Sequence, residues 1–269
     1  MTPGAQREQR FVFGEVAATY HRVRPGYPRE VADHILERAG LNARPGDLLE
    51  IGAGTGKATL LFADGAQRIT ALEPSPGMAA VARETLAGLA NVAIVESTFE
   101  SWPGEPGVFD CVYAAQAWHW VPPDVACSKT HSVLRGGALV ALFWNRPQHD
   151  GHPLTAKLDA CYEQHAPSLS LRIKPWQEIQ SEGADVALLA SGMFTDVVHH
   201  DVSHTVTYSA ADYVALMETQ SDHRLLPDEQ RTTLGEALRT VIELDGGLLE
   251  VPYVTEITTA RTTVAPGAG

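Results

Sequence analysis

The stretch Asp47-Leu48-Leu49-Glu50-Ile51-Gly52-Ala53-Gly54-Thr55-Gly56-Lys57 decides the fold. An apolar run reaches Ile51, glycine then occupies every second position, and a helical pattern of apolar residues begins at Ala58. This order predicts a strand, a tight turn and a helix. Glycine lets the backbone approach a ligand closely, and the first N–H groups of a helix lack partners. We therefore expect a nucleotide-like ligand at this turn.

The spacing of the glycines excludes two common nucleotide sites. The dinucleotide fingerprint, Gly-x-Gly-x-x-Gly, would need its third glycine at Lys57 or Thr59. A phosphate-cradling P-loop would need glycine at Ile51 and Ser or Thr at Ala58. Neither NAD nor ATP is therefore the expected ligand.

A second predicted strand, Arg68 to Leu72, ends in Glu73. This acid follows the glycines by about twenty residues, the spacing at which a carboxylate accepts hydrogen bonds from the ribose hydroxyls of a bound nucleotide. The acid fits a nucleoside that has no 2′-phosphate.

Glu50-x-Gly52-x-Gly54-x-Gly56, with Glu73 after the next strand, resembles the S-adenosyl-L-methionine (SAM) site of class I methyltransferases. Glycines two apart suit a ligand without a pyrophosphate, and an acidic wall would stabilise the sulfonium and ammonium of SAM. The resemblance implies SAM as cofactor and S-adenosyl-L-homocysteine (SAH) as product. It assigns cofactor binding to these residues and to Pro74.

The segment Tyr20 to Pro28 reads as a fixed loop after an amphipathic helix from Gln9 to His21, since two prolines flank a glycine. It resembles the Tyr-x-x-x-Arg-Pro-x-Tyr-Pro segment of one methyltransferase branch, whose N-terminal arm closes over the methionine end of SAM. The resemblance implies that Tyr20 and Arg24 contact the cofactor. Arg24 would pair with a carboxylate of SAM or substrate, and Tyr27 would contact the substrate.

The ends of the third and fourth predicted strands supply further candidates. Val92 to Val95 reads as a buried strand, and the family commonly bonds the adenine amine just beyond it, where Ser97, Thr98 and Phe99 stand here. Asp110 to Ala115 is followed by Gln116-Ala117-Trp118-His119-Trp120. Ligands in open α/β sheets sit outside the carboxyl ends of the strands, so this cluster is expected at the site.

His119 is the candidate general base or substrate orienter, because the pKa of histidine lies near working pH. Trp118 is a second catalytic candidate, Gln116 a cofactor contact and Trp120 a substrate contact. The Ala-x-x-Trp-His-Trp run resembles the branch that includes trans-aconitate methyltransferase.

The rest of the chain is interpreted as core completion and cap. A fifth strand, Ala138 to Phe143, leads to the substrate candidate Asn145, and the cap supplies three further substrate candidates: Thr219, Ser221 and His223. A strand from Phe194 to Tyr208 and a last strand from Leu249 to Thr259 are expected to form an edge hairpin. No metal site is predicted, because His149, Asp150 and His152 lie in a Pro/Gly context without a fourth ligand.

Composition limits the function classes. The 269-residue chain carries a formal charge of −13, which argues against general nucleic-acid binding. Its three cysteines include no CxxC pair, as expected for a cytoplasmic protein, and no stretch resembles a signal peptide or a membrane span. We expect a monomer or homodimer with a small-molecule partner and no nucleic-acid or membrane partner.

The combined expectation is an α/β fold with a doubly wound, seven-stranded, mostly parallel sheet and a helical cap. The predicted organisation is an N-terminal arm (1–28), a SAM-binding core (29–147), core completion with the cap (148–245), and a final edge strand with a loose tail (246–269). The expected activity is O-methylation of a carboxylate or hydroxyl on a metabolite or natural-product intermediate. Three alternatives stay open: cyclisation on a SAM-binding site, C- or N-methylation, and non-catalytic SAM binding.

Overall fold

The computed structural model describes residues 17–148 other than 64 and 66, residues 153–170 and residues 184–263. The start of the predicted first helix, the His149–His152 loop, part of the predicted cap and the tail from 264 lie outside these ranges. Ten helices are described: α1 (Ala17–Val23), α2 (Arg29–Ala39), α3 (Lys57–Ala63), α4 (Pro76–Thr85), α5 (Pro123–Val133), α6 (Thr155–His165), α7 (Pro167–Ser170), α8 (Ala184–Ala190), α9 (Ala210–Glu218) and α10 (Asp228–Leu244).

One seven-stranded sheet runs through the molecule in the order β3-β2-β1-β4-β5-β7-β6. Its strands are β1 (Asp47–Ile51), β2 (Arg68–Leu72), β3 (Val92–Val95), β4 (Phe109–Ala115), β5 (Leu134–Pro147), β6 (Phe194–Ser209) and β7 (Leu248–Thr262). β1 to β5 pair in parallel, whereas β7 is antiparallel to both of its neighbours. The predicted seven-stranded, mostly parallel α/β sheet is confirmed.

Alternating side chains divide the core between the two faces of the sheet. Leu49, Val112 and Leu142 belong to one apolar cluster, which includes residues of α5 and α8. Leu48 and Tyr113 belong to a second cluster, on the face that α2 and α3 cover. Period-two alternation in strands buried on both sides produces this division, and it leaves the strand ends free to build a site.

A third apolar cluster, the cap cluster, is built from α6, α9, α10 and the ends of β6 and β7. It includes Leu154, Tyr162, Tyr213, Leu238 and Tyr253. Ser209 caps the N-terminus of α9, since its hydroxyl accepts a hydrogen bond from Asp212 N at 3.1 Å.

The prediction that the final strand lies at the edge of the sheet is wrong. β6 and β7 do form an antiparallel hairpin, but β7 lies between β5 and β6. β7 buries Val251, Tyr253, Ile257 and Ala260, whereas most β6 side chains are polar and at least partly exposed. The more apolar strand is stabilised by burial in the inner position. A polar strand at the edge is less prone to pair with other chains.

The burial of one strand and the boundaries of two elements also differ from expectation. β3 is only partly buried, because it is the opposite edge of the sheet. β5 runs from 134 to 147 rather than from 138 to 143, since β7 pairs with it as far as Pro147. The helix of α1 continues through Val23, so Tyr20 is helical and the arm's loop begins at Arg24.

Candidate active site

A pocket opens where the carboxyl ends of β1, β2, β3 and β4 meet. The glycine turn after β1 forms part of its wall, α1 and the loop that follows cover it, and the segment after α9 contributes Gln220 and Ser221. α1 packs against both α4 and α9. The arm and the cap therefore cover the pocket together.

Two of the three glycines in the turn have different physical reasons for being glycine. Gly52 has φ of 71°, and a Cβ there would lie 2.5 Å from the Ala117 Cβ. Gly54 has φ of 58°, and a Cβ there would meet nothing within 4 Å. Its N–H donates to Glu73 Oε2 at 2.8 Å. Gly54 thus leaves open space beside the pocket, as a close ligand requires.

The Glu73 carboxylate is held by backbone N–H groups on both oxygens. Besides the bond from Gly54, Oε1 accepts a hydrogen bond from Ser75 N at 2.8 Å. Each carboxylate oxygen has two lone pairs, so a ribose hydroxyl can still bond to either one. Burial raises the pKa of Glu73 to about 7, although the two N–H bonds oppose this shift.

Glu50 is fully buried beneath the pocket. Its Oε2 accepts hydrogen bonds from the Thr59 hydroxyl at 2.5 Å and the Tyr113 hydroxyl at 3.0 Å. Its Oε1 has no partner within the described part of the chain. Burial raises the pKa of Glu50 to about 7, and the nearby Glu73 contributes to the shift.

These features fit SAM. A buried carboxylate with an unused oxygen can stabilise the positive charges of SAM, and the Glu73 oxygens keep lone pairs that could accept hydrogen bonds from a ribose. The open space at Gly54 admits a ligand against the backbone.

Gln116 directly follows β4 and has an unusual backbone conformation. Its φ is 56°, in the left-handed region that residues other than glycine rarely adopt, while its N–H donates to Phe143 O at 2.9 Å. Its side chain hydrogen-bonds with Tyr27. Left-handed backbone at a pocket wall is typical of functional sites, where surrounding contacts hold the strain.

His119 lies in a single 3-10 turn, Trp118–Trp120, directly after β4. Its ring contacts that of Trp120 at a centroid distance of 4.7 Å, and its Nδ1 is buried without a hydrogen-bond partner among the described residues. Burial, and then the charge of Arg146, lower the pKa of His119 to about 4. The imidazole is therefore neutral at neutral pH.

Arg24 is directed toward the cap. Its Nε donates to Thr219 Oγ1 at 2.9 Å, and its Nη2 donates to Thr219 O at 3.0 Å and to Gln220 Oε1 at 3.2 Å. The guanidinium also lies over the Tyr20 ring, 4.9 Å from the centroid. These contacts join the arm to the segment after α9.

The structure places most of the predicted site residues around this one pocket. Fifteen of them line it: Tyr20, Arg24, Tyr27, Glu50, Gly52, Gly54, Glu73, Pro74, Ser97, Thr98, Phe99, Gln116, His119, Trp120 and Ser221. Thr219 is absent from the lining but holds Arg24. Gly56 supports the turn from behind, where a Cβ would lie 3.0 Å from Leu86 Cδ1.

Three predicted site residues lie away from the pocket. Trp118 is packed in the apolar cluster that includes residues of α5 and α8, because the 3-10 turn directs it inward. Asn145 Nδ2 donates to Gly26 O at 2.8 Å and its Oδ1 accepts from Thr255, so it anchors the arm to the sheet. His223 bonds to Tyr162 within the cap. The prediction that these three side chains lie at the pocket is wrong.

Sequence reasoning missed several residues of the pocket. Lys57, Thr55 and Gln220 line it, and the His21 ring bonds through Nδ1 to the Thr55 hydroxyl at 3.0 Å. The position of Lys57 directly after the glycine turn was a usable signal. Gln220 carried none, since its place depends on the packing of the cap.

Comparison with known proteins finds similarity to methyltransferases. Residues 48–137 match the family described as methyltransferase domain. An uncharacterized methyltransferase of Mycobacterium bovis is 36% identical over 141 residues, which are 52% of this chain and 55% of that protein. The chain thus spans about half the length of this curated relative.

Solved methyltransferase structures share their fold with most of this chain. A candidate type II methyltransferase from Anaeromyxobacter dehalogenans matches with a TM-score of 0.64 and 22% identity, covering 90% of this chain and 99% of that one. Phosphoethanolamine N-methyltransferase 2 of Haemonchus contortus, solved with phosphomonomethylethanolamine and SAH, matches with a TM-score of 0.55 and 15% identity, covering 93% of this chain and 57% of that one.

Residues 48–137 are thus similar to a methyltransferase domain, and most of the chain shares its fold with solved methyltransferases, one of them with bound SAH. Membership of the branch that includes trans-aconitate methyltransferase stays a prediction. No group of three or more potential metal ligands occurs among the described residues. No helix in the described ranges is long and apolar enough to cross a membrane.

Proposed function

We propose that this protein transfers the methyl group of SAM to an oxygen of a small molecule, with a carboxylate as the favoured acceptor. The observation that carries the proposal is the neutral, half-buried His119 imidazole, which lines the same pocket as the glycine turn and Glu73. The His119 ring lines this pocket, and its Nδ1 has no hydrogen-bond partner among the described residues, so its hydrogen bonding is unsatisfied without a ligand.

Bound SAM supplies a methyl carbon already activated by a positively charged sulfur. The protein therefore needs to hold the reactants, exclude water and place charge. Glu73 would hold the ribose, and Glu50 would favour the positive groups. The arm and the cap would exclude water, since both cover the pocket.

The low pKa of His119 favours an acceptor that is already deprotonated. A base whose pKa is about 4 removes a proton from an alcohol poorly, because the transfer is uphill. A neutral imidazole can still donate an N–H to a carboxylate. The positive charge of Arg146, which acts on the His119 ring, would also attract that carboxylate. A hydroxyl acceptor is the second candidate, with His119 accepting its proton.

The test is incubation of the protein with SAM and a panel of small carboxylic acids, alcohols and phenols, followed by mass spectrometry. Methyl transfer adds one CH₂ to the acceptor and yields SAH. His119→Ala is expected to lower turnover roughly 100-fold by removing the group that orients the acceptor, while SAM affinity by calorimetry stays close to wild type.

Trp118→Phe is the matched control, because the neighbouring side chain is packed in the core and should leave turnover largely intact. Undiminished turnover in His119→Ala would refute the role of His119. Tight SAM binding with no product from any acceptor would favour a non-catalytic protein, and an acceptor product of unchanged mass would favour cyclisation.

A further inference from the structure

We infer that the Lys57 ammonium binds the carboxylate at the amino-acid end of SAM and of SAH. This inference rests on the proposed function and deepens it, because it names a residue that would bind the amino-acid end of the cofactor. The sequence alone predicts Arg24 as a partner of a carboxylate of SAM or substrate.

The charges of the ligand and of the pocket define what is needed. The amino-acid end of SAM carries an ammonium and a carboxylate, and the sulfur beside it is positive. The acids Glu50, Glu73 and Glu100 line the pocket and would repel the carboxylate. The described lining offers two permanent cations, Arg24 and Lys57. One of these is needed to bind the carboxylate.

Arg24 is already engaged with the cap. Its Nε and Nη2 donate to the Thr219 hydroxyl, the Thr219 carbonyl and the Gln220 side chain, and its plane lies over the Tyr20 ring. A guanidinium presents its donors in a fixed fork. Turning that fork toward a ligand would break contacts that hold the arm to the cap.

Lys57 has no counter-ion among the described residues. It is the first residue of α3, directly after the glycine turn, and it lines the pocket. No ion pair joins it to an acid within the described ranges of the chain, and burial alone lowers the pKa of its amino group. A partly desolvated ammonium without a counter-ion is unfavourable, and a bound carboxylate relieves that cost.

The arm provides a neutral wall beside this cation. His21 bonds to Thr55 within the glycine turn, and burial together with the charge of Lys57 lowers the pKa of its ring. The imidazole therefore stays neutral near neutral pH. A carboxylate placed here would have the Lys57 ammonium as its cationic partner, with the neutral His21 ring beside it.

The test compares two ligands by calorimetry. SAH carries the amino-acid end, whereas 5′-methylthioadenosine shares the adenosine and the sulfur but lacks the amino acid. Lys57→Met removes the ammonium and keeps an unbranched side chain. We expect it to weaken SAH binding by about 10- to 100-fold, as for loss of a hydrogen bond between charged groups, and to leave 5′-methylthioadenosine binding unchanged.

Two further variants complete the design. Lys57→Arg should retain most of the SAH affinity, because it keeps the charge. Lys157→Met makes the same chemical change on the surface, where Lys157 pairs with Asp245, and should alter neither ligand. Equal loss of both ligands in Lys57→Met, or loss of neither, would overturn the inference. If wild type bound neither ligand, the proposed function itself would fail.

Discussion

Two acidic residues of the pocket have raised pKa values. Glu50 and Glu73 are buried close to one another, and burial raises the pKa of each to about 7. In the ligand-free protein both are thus partly protonated near neutral pH. A cationic ligand favours their charged forms, so binding should displace protons.

We expect the affinity for SAM to increase as pH rises from about 6 to 8, because the carboxylates lose their protons over this range. Binding at pH 6 should release protons. Calorimetry at pH 6, 7 and 8, in buffers of different ionisation enthalpy, measures both effects.

The same pKa shifts make the stability of the ligand-free protein depend on pH in the opposite direction from SAM affinity. Acids whose folded pKa lies above the unfolded value favour folding at low pH, and this contribution is lost as pH rises through about 7. Glu73→Gln should weaken SAM binding and reduce the pH dependence of both properties. Glu96→Gln, whose acid pairs with Arg83 at the surface, is the control. A pH-independent affinity would contradict this account.

At the scale of elements, the segment after α9 is held from two sides. Arg24 of the arm binds Thr219, and His223 is fixed inside the cap. The His223 ring bonds through Nδ1 to Asp222 Oδ1 at 2.9 Å and through Nε2 to the Tyr162 hydroxyl at 2.9 Å. Gln220 and Ser221, which line the pocket, lie between these two anchors.

Tyr162→Phe should loosen this segment. The change leaves a buried ring nitrogen without its partner, a loss of about 1 to 3 kcal/mol in the free energy of unfolding. Hydrogen exchange measured by mass spectrometry should become faster at residues 219–223 and stay unchanged at the glycine turn.

Tyr208→Phe provides the comparison, because its hydroxyl belongs to the same cap cluster but bonds to Tyr253 instead. It should not speed exchange at 219–223. If both variants changed exchange equally, the bond to His223 would have no special role.

At the scale of the whole molecule, β7 joins the three apolar clusters. Ile257 and Ala260 belong to the two sheet faces, and Val251 and Tyr253 belong to the cap cluster. A strand shared by all three clusters should make the described parts unfold together.

Leu238→Ala tests this cooperativity. Leu238 is buried in the cap cluster, so truncation should cost about 2 to 5 kcal/mol. Four of the five tryptophans, Trp102, Trp118, Trp120 and Trp144, lie between β3 and the end of β5. Denaturation followed by their fluorescence should nevertheless shift together with circular dichroism. A fluorescence transition that stayed in place would show that the cap unfolds alone.

The parts that sequence predicted well depend on local patterns. The glycine turn, Glu73 and the position of His119 follow from spacing within one βα unit or from the end of one strand. Asn145 and His223 were misplaced because their partners, Gly26 and Tyr162, lie 119 and 61 residues away in the chain. The inner position of β7 was missed because a hairpin alone does not reveal which of its strands pairs with β5.

That inner position of β7 has a consequence for synthesis on the ribosome. β5 is complete at residue 147, but the strand that covers its free side begins only at Leu248. A nascent chain therefore exposes an unpaired apolar edge while about a hundred further residues are made, and such edges readily pair with other chains. Chaperones that shield emerging chains should matter more for this protein than for one whose strands are added in spatial order.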